Sequence, residues 1–235
     1  MPIAARAYIN TVIAAGFAIA ASALYHWESQ SLTRFALFLA LFIGAALLKG
    51  RIPGITGTYS PVFFFVLLGS RALSFSEVIV AAVLAGFVQC TVRAQQRPSP
   101  IQLAFNAANM TISAASAFVF IHPGVSGRQI PVLAEQPLVI LLILGASVYY
   151  AVNTGLVSVV VTLVDGKPLN DVWRHWCLRS LPFYLIGALI AGATLSAQSQ
   201  LSPWVVAMVC PSVLLATVYY RYWLTSVTRL KTLNQ

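Results

Sequence analysis

The feature that most constrains this chain is a series of eight apolar segments, joined by short connections that hold nearly all of the charged residues. An apolar stretch of about 20 residues is long enough to cross the hydrocarbon layer of a bilayer as a helix. With 59% hydrophobic and only 8% charged residues, the chain has too few polar side chains to cover a soluble globule of its size. The segments cover residues 7–25, 32–48, 58–73, 77–92, 101–121, 138–164, 181–197 and 204–224.

This pattern predicts an all-α integral membrane protein, a polytopic bundle of eight transmembrane helices. We expect one membrane domain over residues 1–224 and a short cytoplasmic tail over 225–235. The first segment also has features of a secretory signal, because Arg6 precedes it and Ala21-Ser22-Ala23 resembles a cleavage site. Its length and the spans that follow favour a transmembrane helix.

A glycine- and proline-rich turn separates the second and third segments and is the densest local signal in the chain. The turn brings cations and an interfacial tyrosine to the point where the chain re-enters an apolar environment, so we expect headgroup contact, with anion binding as the alternative. The third segment is short and carries Pro61, so a re-entrant half-helix near 58–73, and seven crossings in total, is the alternative to a full span. The turn residues are Lys49, Arg51, Pro53, Gly54, Gly57 and Tyr59.

The positions of the cations predict the orientation. If the amino terminus is cytoplasmic and all eight segments cross, only Arg34, Arg71 and Arg128 of the 14 Lys and Arg residues lie outside. Such a bias follows the positive-inside rule and predicts a multi-pass protein of the bacterial inner membrane with both termini in the cytoplasm. Because the cations are scattered between apolar runs, we expect lipid rather than nucleic acid as their partner.

Two helices carry polar stripes that point to a ligand site. On the fifth segment, Gln102, Asn106 and Asn109 fall on one side with Ser113 and Ser116 when residues are placed 100° apart. On the sixth, Tyr150 and Thr154 share a stripe with Ser147 and Ser158, and Asn153 lies beside it. These stripes are expected to face each other. They either line a ligand cavity, or hold the helices together by hydrogen bonds.

Two further stretches predict local features of the bundle. Residues 169–179 mix tryptophans with cations, which is typical of a short helix at the headgroup level. In the seventh segment, Gly187 and Ala191, and Ala188 and Gly192, have the four-residue spacing that lets helices approach closely.

Motifs for catalysis are absent from the sequence, which contains no HExxH, GxSxG, CxxC or nucleotide-binding glycine pattern. The three histidines and five acids lie in predicted connections or at segment ends, where no buried acid pair is available for proton transfer. Cys90, Cys177 and Cys210 are an odd set without metal-ligand spacing. We therefore expect no enzyme activity, no cofactor and no metal site.

Four stretches also carry a resemblance to a known family. They are Lys49-Gly-Arg-Ile-Pro-Gly-Ile-Thr-Gly-Thr-Tyr-Ser, Leu103-Ala-Phe-Asn-Ala-Ala-Asn109, Tyr150-Ala-Val-Asn-Thr-Gly-Leu156 and Leu181-Pro-Phe-Tyr-Leu-Ile-Gly-Ala-Leu-Ile-Ala-Gly192. The chain resembles the multi-helix membrane regions at the front of bacterial GGDEF and HD-type cyclic-dinucleotide signalling proteins. The resemblance implies a sensory input module that binds a small or lipidic ligand between helices and relays to a cytoplasmic signalling partner.

The resemblance stops before the output domain of that family. A diguanylate cyclase or phosphodiesterase domain usually follows the last helix there, whereas only a dozen residues follow Trp223 here. We therefore expect either a stand-alone relative that acts through a partner or the membrane portion of a longer protein. The family's catalytic chemistry carries over to no residue of this chain.

Two other functions are compatible with the sequence. The alanine-rich first helix, with Ala14 and Ala18 at close-packing spacing, resembles the substrate-binding membrane subunits of energy-coupling-factor transporters. The small-residue faces would also suit a membrane scaffold. The sequence leaves open the ligand, the partner and the oligomeric state, a homo-oligomer included.

Overall fold

Helices make up nearly all of the protein that the computed structural model describes, namely residues 1–48, 50–51, 58–92, 97–123, 135–173 and 180–198. This confirms the predicted all-α class. The eighth predicted segment, 204–224, and the tail at 225–235 lie outside the described residues. Each of the first seven segments corresponds to a helix whose ends differ from the prediction by a few residues at most. The helices are α1 Ile3–Tyr25, α2 Leu32–Leu47, α3 Val62–Ala72, α4 Phe75–Thr91, α5 Pro100–Ile121, α6 Leu138–Asp165, α7 Leu169–Val172 and α8 Leu181–Gln198.

Three of these helices, α1, α5 and α6, are long and apolar enough to cross a membrane. Four others, α2, α3, α4 and α8, are shorter apolar helices. The short helix expected near 169–179 is present as α7, and residues 174–179 lie outside the described residues.

Local chemistry explains where several helices begin and end. Ser74 and Glu77 form a reciprocal capping box at the start of α4, and Ser99 and Gln102 form another at the start of α5. Each box satisfies backbone N–H groups that a helix start leaves without partners. Gly166 ends α6 with a φ of 69°, a left-handed angle that glycine adopts without strain.

The turn between α2 and α3 contains a short antiparallel pair that the sequence did not predict. Strand β1, Gly50–Arg51, pairs with β2, Thr58–Tyr59. At the other end of these helices, Arg34 Nη1 at the start of α2 donates a hydrogen bond to the Ala72 carbonyl at the end of α3. The start of α3 therefore lies next to the end of α2, and the end of α3 lies next to the start of α2, so the two helices are antiparallel.

Among the described helices, α3 has the largest share of buried residues. Its 11 residues extend about 16 Å, and nine of them, Val62 to Ser70, are buried. It contacts α2, α4, α5, α6 and α8. A helix too short to cross a bilayer alone is thus covered over most of its length by neighbouring helices.

Helix α5 lies at the centre and contacts α1, α4 and α6 through small residues. A Cβ added at Gly16 of α1 would lie 2.4 Å from Ala108 Cβ, and one at Gly86 of α4 would lie 3.2 Å from Ala107 Cα. Ala14 and Ala18 are both exposed in the described structure, so their use for close packing stays a prediction. Gly16, which lies between them, makes the close approach to α5.

The small-residue face predicted for the seventh segment is confirmed in α8. Ala188 and Ala191 are fully buried. A Cβ at Gly187 would lie 2.4 Å from Phe63 Cζ, and one at Gly192 would lie 3.1 Å from Val139 Cγ2. The glycines therefore make room for side chains of α3 and α6.

Candidate functional site

The predicted polar stripes meet at a small cluster between α5 and α6, which we term the polar seam: Asn109, Met110, Tyr149 and Asn153. Asn109 Nδ2 donates to the carbonyl oxygen of Asn153 at 3.5 Å. The Tyr149 hydroxyl donates to the Met110 sulfur at 3.3 Å, and Asn153 Nδ2 approaches the same sulfur at 3.9 Å. Asn109, Met110 and Tyr149 are buried, Asn153 is half-buried, and the polar groups of the seam contact one another across the two helices.

The other four predicted ligand residues lie apart from the seam. Gln102 caps the start of α5, and Asn106 Nδ2 donates to the Gln102 carbonyl of its own helix at 3.0 Å. Thr154 donates to the Tyr150 carbonyl at 2.6 Å. The Tyr150 ring packs edge-on against Tyr184 of α8, with centroids 5.1 Å apart.

Two of the six predicted residues, Asn109 and Asn153, are therefore brought into contact. Their contacts are of the interhelical kind that the structural hypothesis requires, since a hydrogen bond between helices satisfies polar groups where lipid offers no partner. The ligand-binding role of the six residues stays a prediction. Met110 was missed because a thioether in an apolar helix carries no distinct sequence signal.

A cavity of about 340 Å³ opens beside a different face of α6, and we term it the α1–α6 groove. Its lining residues come from α1, α6 and α7 and are almost entirely apolar. At 100° per residue, the α6 members of the lining centre about a quarter-turn or more from Tyr149 and Asn153, although Leu156 itself lies only about 20° from Tyr149. The lining residues are Tyr8, Ala151, Val152, Gly155, Leu156, Val159, Leu169 and Trp173.

Two amphipathic aromatic residues and a glycine define the groove. The Tyr8 hydroxyl donates to the Leu156 carbonyl at 3.4 Å and so joins α1 to α6 at one wall. Trp173, at the end of α7, packs edge-on against Tyr150 with centroids 6.4 Å apart. A Cβ added at Gly155 would meet no atom of the described residues within 4 Å, so the described helices leave the space beside this glycine open.

The chemistry of the groove suits a lipophilic molecule. Apolar walls favour burial of hydrocarbon, and the Tyr8 and Trp173 side chains offer polar atoms at its edge. Among the described residues, no group of three or more His, Cys, Asp or Glu side chains is placed to hold a metal ion.

The predicted headgroup-contact turn is described only in part. Lys49, Pro53, Gly54 and Gly57 lie outside the described residues. Arg51 and Tyr59 belong to the paired strands, of which the backbone alone is described. Headgroup contact by this turn stays a prediction.

A polar cluster at the opposite end of the bundle ties the α1–α2 connection to α4. Glu77 is only 2% exposed, and its Oε1 accepts a hydrogen bond from Ser29 Oγ at 2.6 Å. Ser74 Oγ donates to the Glu28 carbonyl at 2.5 Å, and Ser76 Oγ donates to the His26 carbonyl at 3.0 Å. The expectation that Glu77 lies at a helix end is confirmed, and its burial fixes the connection to the start of α4.

His122 lies at the same end of the bundle, directly after α5. Its ring stacks on Phe118 with centroids 4.3 Å apart, and its Nδ1 lies 3.3 Å from the Phe118 carbonyl oxygen. Burial of the ring lowers the pKa of His122 below its ordinary value; the Phe118 contact opposes this shift, and the charge of Arg71 adds to it. The neutral ring is therefore the favoured form in the folded protein.

The groove residues were not found as a site from the sequence. Trp173 was expected at the headgroup level, but Tyr8 and Gly155 lie within apolar runs where nothing distinguishes them. An alternation of polar residues would have marked a polar cavity, whereas an apolar groove has the same composition as the helices around it.

Comparison of the chain with protein-family models, with curated proteins and with solved structures finds no match.

Proposed function

We propose that this chain is a membrane sensory module that binds a lipidic or other small apolar ligand in the α1–α6 groove and relays its occupancy to a cytoplasmic signalling partner. It has no catalytic role in this proposal. The observation that carries the proposal is the groove itself, a cavity of about 340 Å³ with apolar walls. The resemblance to signalling input regions supplies the expected partner class.

The proposal includes eight crossings of a bacterial inner membrane with both termini in the cytoplasm. The three long apolar helices and the antiparallel course of α2 and α3 support this arrangement. It follows the positive-inside rule, and it puts the start of α1 and the second half of α6 on the cytoplasmic side. The groove then opens toward the inner leaflet, next to any cytoplasmic partner.

The polar seam supports this choice of site by its contacts. The Asn109 amide donates to the Asn153 carbonyl and accepts from Ser113, and the Asn153 amide approaches the Met110 sulfur, so a ligand there would have to displace protein contacts. The groove requires no such displacement, because the described residues leave the space beside Gly155 open. A preformed pocket binds without the cost of reorganising its walls.

Ligand extraction from two matched glycine variants tests the proposal. A Gly155→Leu side chain would fill the groove, whereas a Gly44→Leu side chain lies on α2, outside the groove. No atom of the described residues lies within 4 Å of a Cβ added at either glycine. Wild-type protein and the two variants are purified in detergent, extracted with organic solvent and analysed by mass spectrometry.

We expect an apolar molecule that co-purifies in near-equal amount with wild type and Gly44→Leu and is lost from Gly155→Leu. Retention by Gly155→Leu at the wild-type level would overturn the groove as the binding site. Absence of any such molecule from all three proteins would also count against the proposal, because a preformed site in contact with lipid should be occupied.

A further inference from the structure

We infer that a series of four aromatic rings, which we term the ring chain, couples the position of α7 to the start of α3: Trp173, Tyr150, Tyr184 and Phe63. The inference rests on the proposed function for its input, because Trp173 lines the α1–α6 groove. It deepens that function by naming the side chains that transmit a change at the groove. The coupling itself needs no ligand and is measured without one.

The rings of the chain contact one another in order across four helices. Trp173, which follows α7, packs edge-on against Tyr150 of α6 with centroids 6.4 Å apart. The centroids of Tyr150 and Tyr184 of α8 are 5.1 Å apart, and those of Tyr184 and Phe63 of α3 are 4.4 Å apart. These separations are close to the range of about 4.5–7 Å at which aromatic rings attract each other. The contacts therefore connect the edge of the groove to α3.

The Phe63 end of the ring chain is tightly packed. Phe63 is only 2% exposed, and its ring packs edge-on against Phe183 with centroids 5.0 Å apart. A Cβ added at Gly187 would lie 2.4 Å from Phe63 Cζ, so the backbone of α8 closes one side of the ring. Close-packed interiors transmit strain. A shift of Tyr184 therefore displaces Phe63 or the backbone that carries it.

The Trp173 end of the ring chain is less firmly held. Helix α7 has four residues, far fewer than the roughly 12 that an isolated helix needs to be stable in water. Its position therefore depends on side-chain contacts such as those of the buried Val172 and the half-buried Trp173. Because the Trp173 ring contacts both the groove and Tyr150, a change that moves this ring also acts on Tyr150.

Phe63 lies where a displacement can reach the surface of the bundle. It is the second residue of α3 and follows strand β2, Thr58–Tyr59, by four residues. Strand β2 pairs with β1, Gly50–Arg51, in the turn between α2 and α3. In the proposed orientation this turn is cytoplasmic, where a signalling partner would contact it.

Hydrogen exchange measured by mass spectrometry tests the inference in the absence of ligand. Trp173→Leu should raise the exchange rate of the amides at 62–66, the start of α3, about threefold, because it removes one end of a coupled set of contacts. Amides at 75–79, the start of α4, should keep their rate. Trp27→Leu is the matched control, since Trp27 packs against Phe35 outside the ring chain and should leave 62–66 unchanged.

Two further variants show whether the effect passes through the rings. Trp173→Phe keeps a ring beside Tyr150 and should exchange at 62–66 as the wild type does. Adding Trp173→Leu to Tyr184→Leu should not raise the rate further, because the ring chain is already interrupted. An unchanged rate at 62–66 in Trp173→Leu, or an equal increase with Tyr184→Leu present, would overturn the inference. If Trp173→Leu does not fold, Tyr150→Leu replaces it in the same comparison.

A double-mutant cycle gives a second measurement of the coupling. Trp173→Leu and Phe63→Leu are at opposite ends of the ring chain, and independent sites multiply their effects on the unfolding equilibrium constant. We expect the double variant to depart from this product about threefold, and to follow it when Tyr184→Leu is also present. Simple multiplication without Tyr184→Leu would overturn the coupling.

Failure of this inference and failure of the proposed function give different results. If Gly155→Leu loses its bound molecule but Trp173→Leu leaves residues 62–66 unchanged, the ring chain is overturned and the groove remains the binding site. If no apolar molecule co-purifies but the coupling is measured, the groove as a ligand site is overturned and the ring chain is supported.

Discussion

Two faces of the same helix, α6, differ in how the space beside them is filled. Toward α5, a Cβ added at Gly145 would lie 2.7 Å from Ile121 Cγ1, and Asn153 is in contact with Asn109. Toward the groove, a Cβ at Gly155 would meet no atom of the described part of the chain within 4 Å. The closed face uses polar groups to join helices, and the open face is apolar. The polar residues Asn109 and Asn153 therefore mark a helix contact here.

The largest expected effect comes from a leucine at the closed face. Gly145→Leu would force side-chain atoms into Ile121 and should lower the free energy of unfolding by about 3 kcal/mol, the upper part of the usual range for overpacking. Gly155→Leu should change it by less than about 1 kcal/mol, because the groove has room and leucine favours helix more than glycine does. Thermal unfolding of both variants in the same detergent measures the difference. Equal losses of stability in the two variants would contradict the difference in packing between the two faces of α6.

The second prediction concerns a variant that lacks the side-chain hydrogen bonds of Asn109 in the polar seam. Asn109→Leu should cost about 1 kcal/mol, because hydrogen bonds between helices in membranes contribute about that much. Asn106→Leu is the matched control, since Asn106 donates to its own helix and should cost a few tenths of that value. The same unfolding assay compares them. An equal or larger loss for Asn106→Leu would contradict the seam as the interhelical contact.

A smaller effect is expected at the groove wall. Tyr8→Phe removes the hydroxyl that donates to Leu156 and should lower stability by about 0.5 kcal/mol. Tyr25→Phe, at the exposed end of α1, is the control and should leave stability unchanged. Identical unfolding of wild type and Tyr8→Phe would show that the hydrogen bond from Tyr8 to Leu156 does not stabilise the wall of the groove.

The smallest expected effect is a pH dependence of the stability that arises from His122. The pKa of His122 in the folded protein lies below 6.5, its ordinary value. At a pH between these two values, the unfolded chain binds more protons than the folded chain. Stability should therefore fall as the pH drops below about 6.5 and level off once the folded pKa is passed. His122→Gln should reduce this slope, and His26→Gln should retain it. A slope that His122→Gln leaves intact would assign it to another group.

The sequence was sufficient to predict the helices and most of their ends. Apolar runs gave the positions of the first seven, and the structure adds the capping boxes of Ser74 with Glu77 and of Ser99 with Gln102 at two of the starts. The antiparallel pair of Gly50–Arg51 with Thr58–Tyr59 was missed, because two-residue strands leave no alternation to detect.

The contacts between helices were only partly predictable. Opposing polar stripes correctly suggested that the fifth and sixth segments meet, and Asn109 does contact Asn153. The sequence could not separate Gly145 from Gly155, since a glycine in an apolar helix has the same signature whether it accommodates a neighbour or leaves space. Only the surrounding helices decide between these two roles.

The most direct test of the account measures stability and bound apolar molecule side by side in Asn109→Leu and Gly155→Leu. We predict that Asn109→Leu loses stability and keeps the bound molecule, whereas Gly155→Leu keeps stability and loses it. Loss of the molecule from Asn109→Leu, with Gly155→Leu still loaded, would contradict the account and assign ligand binding to the polar seam.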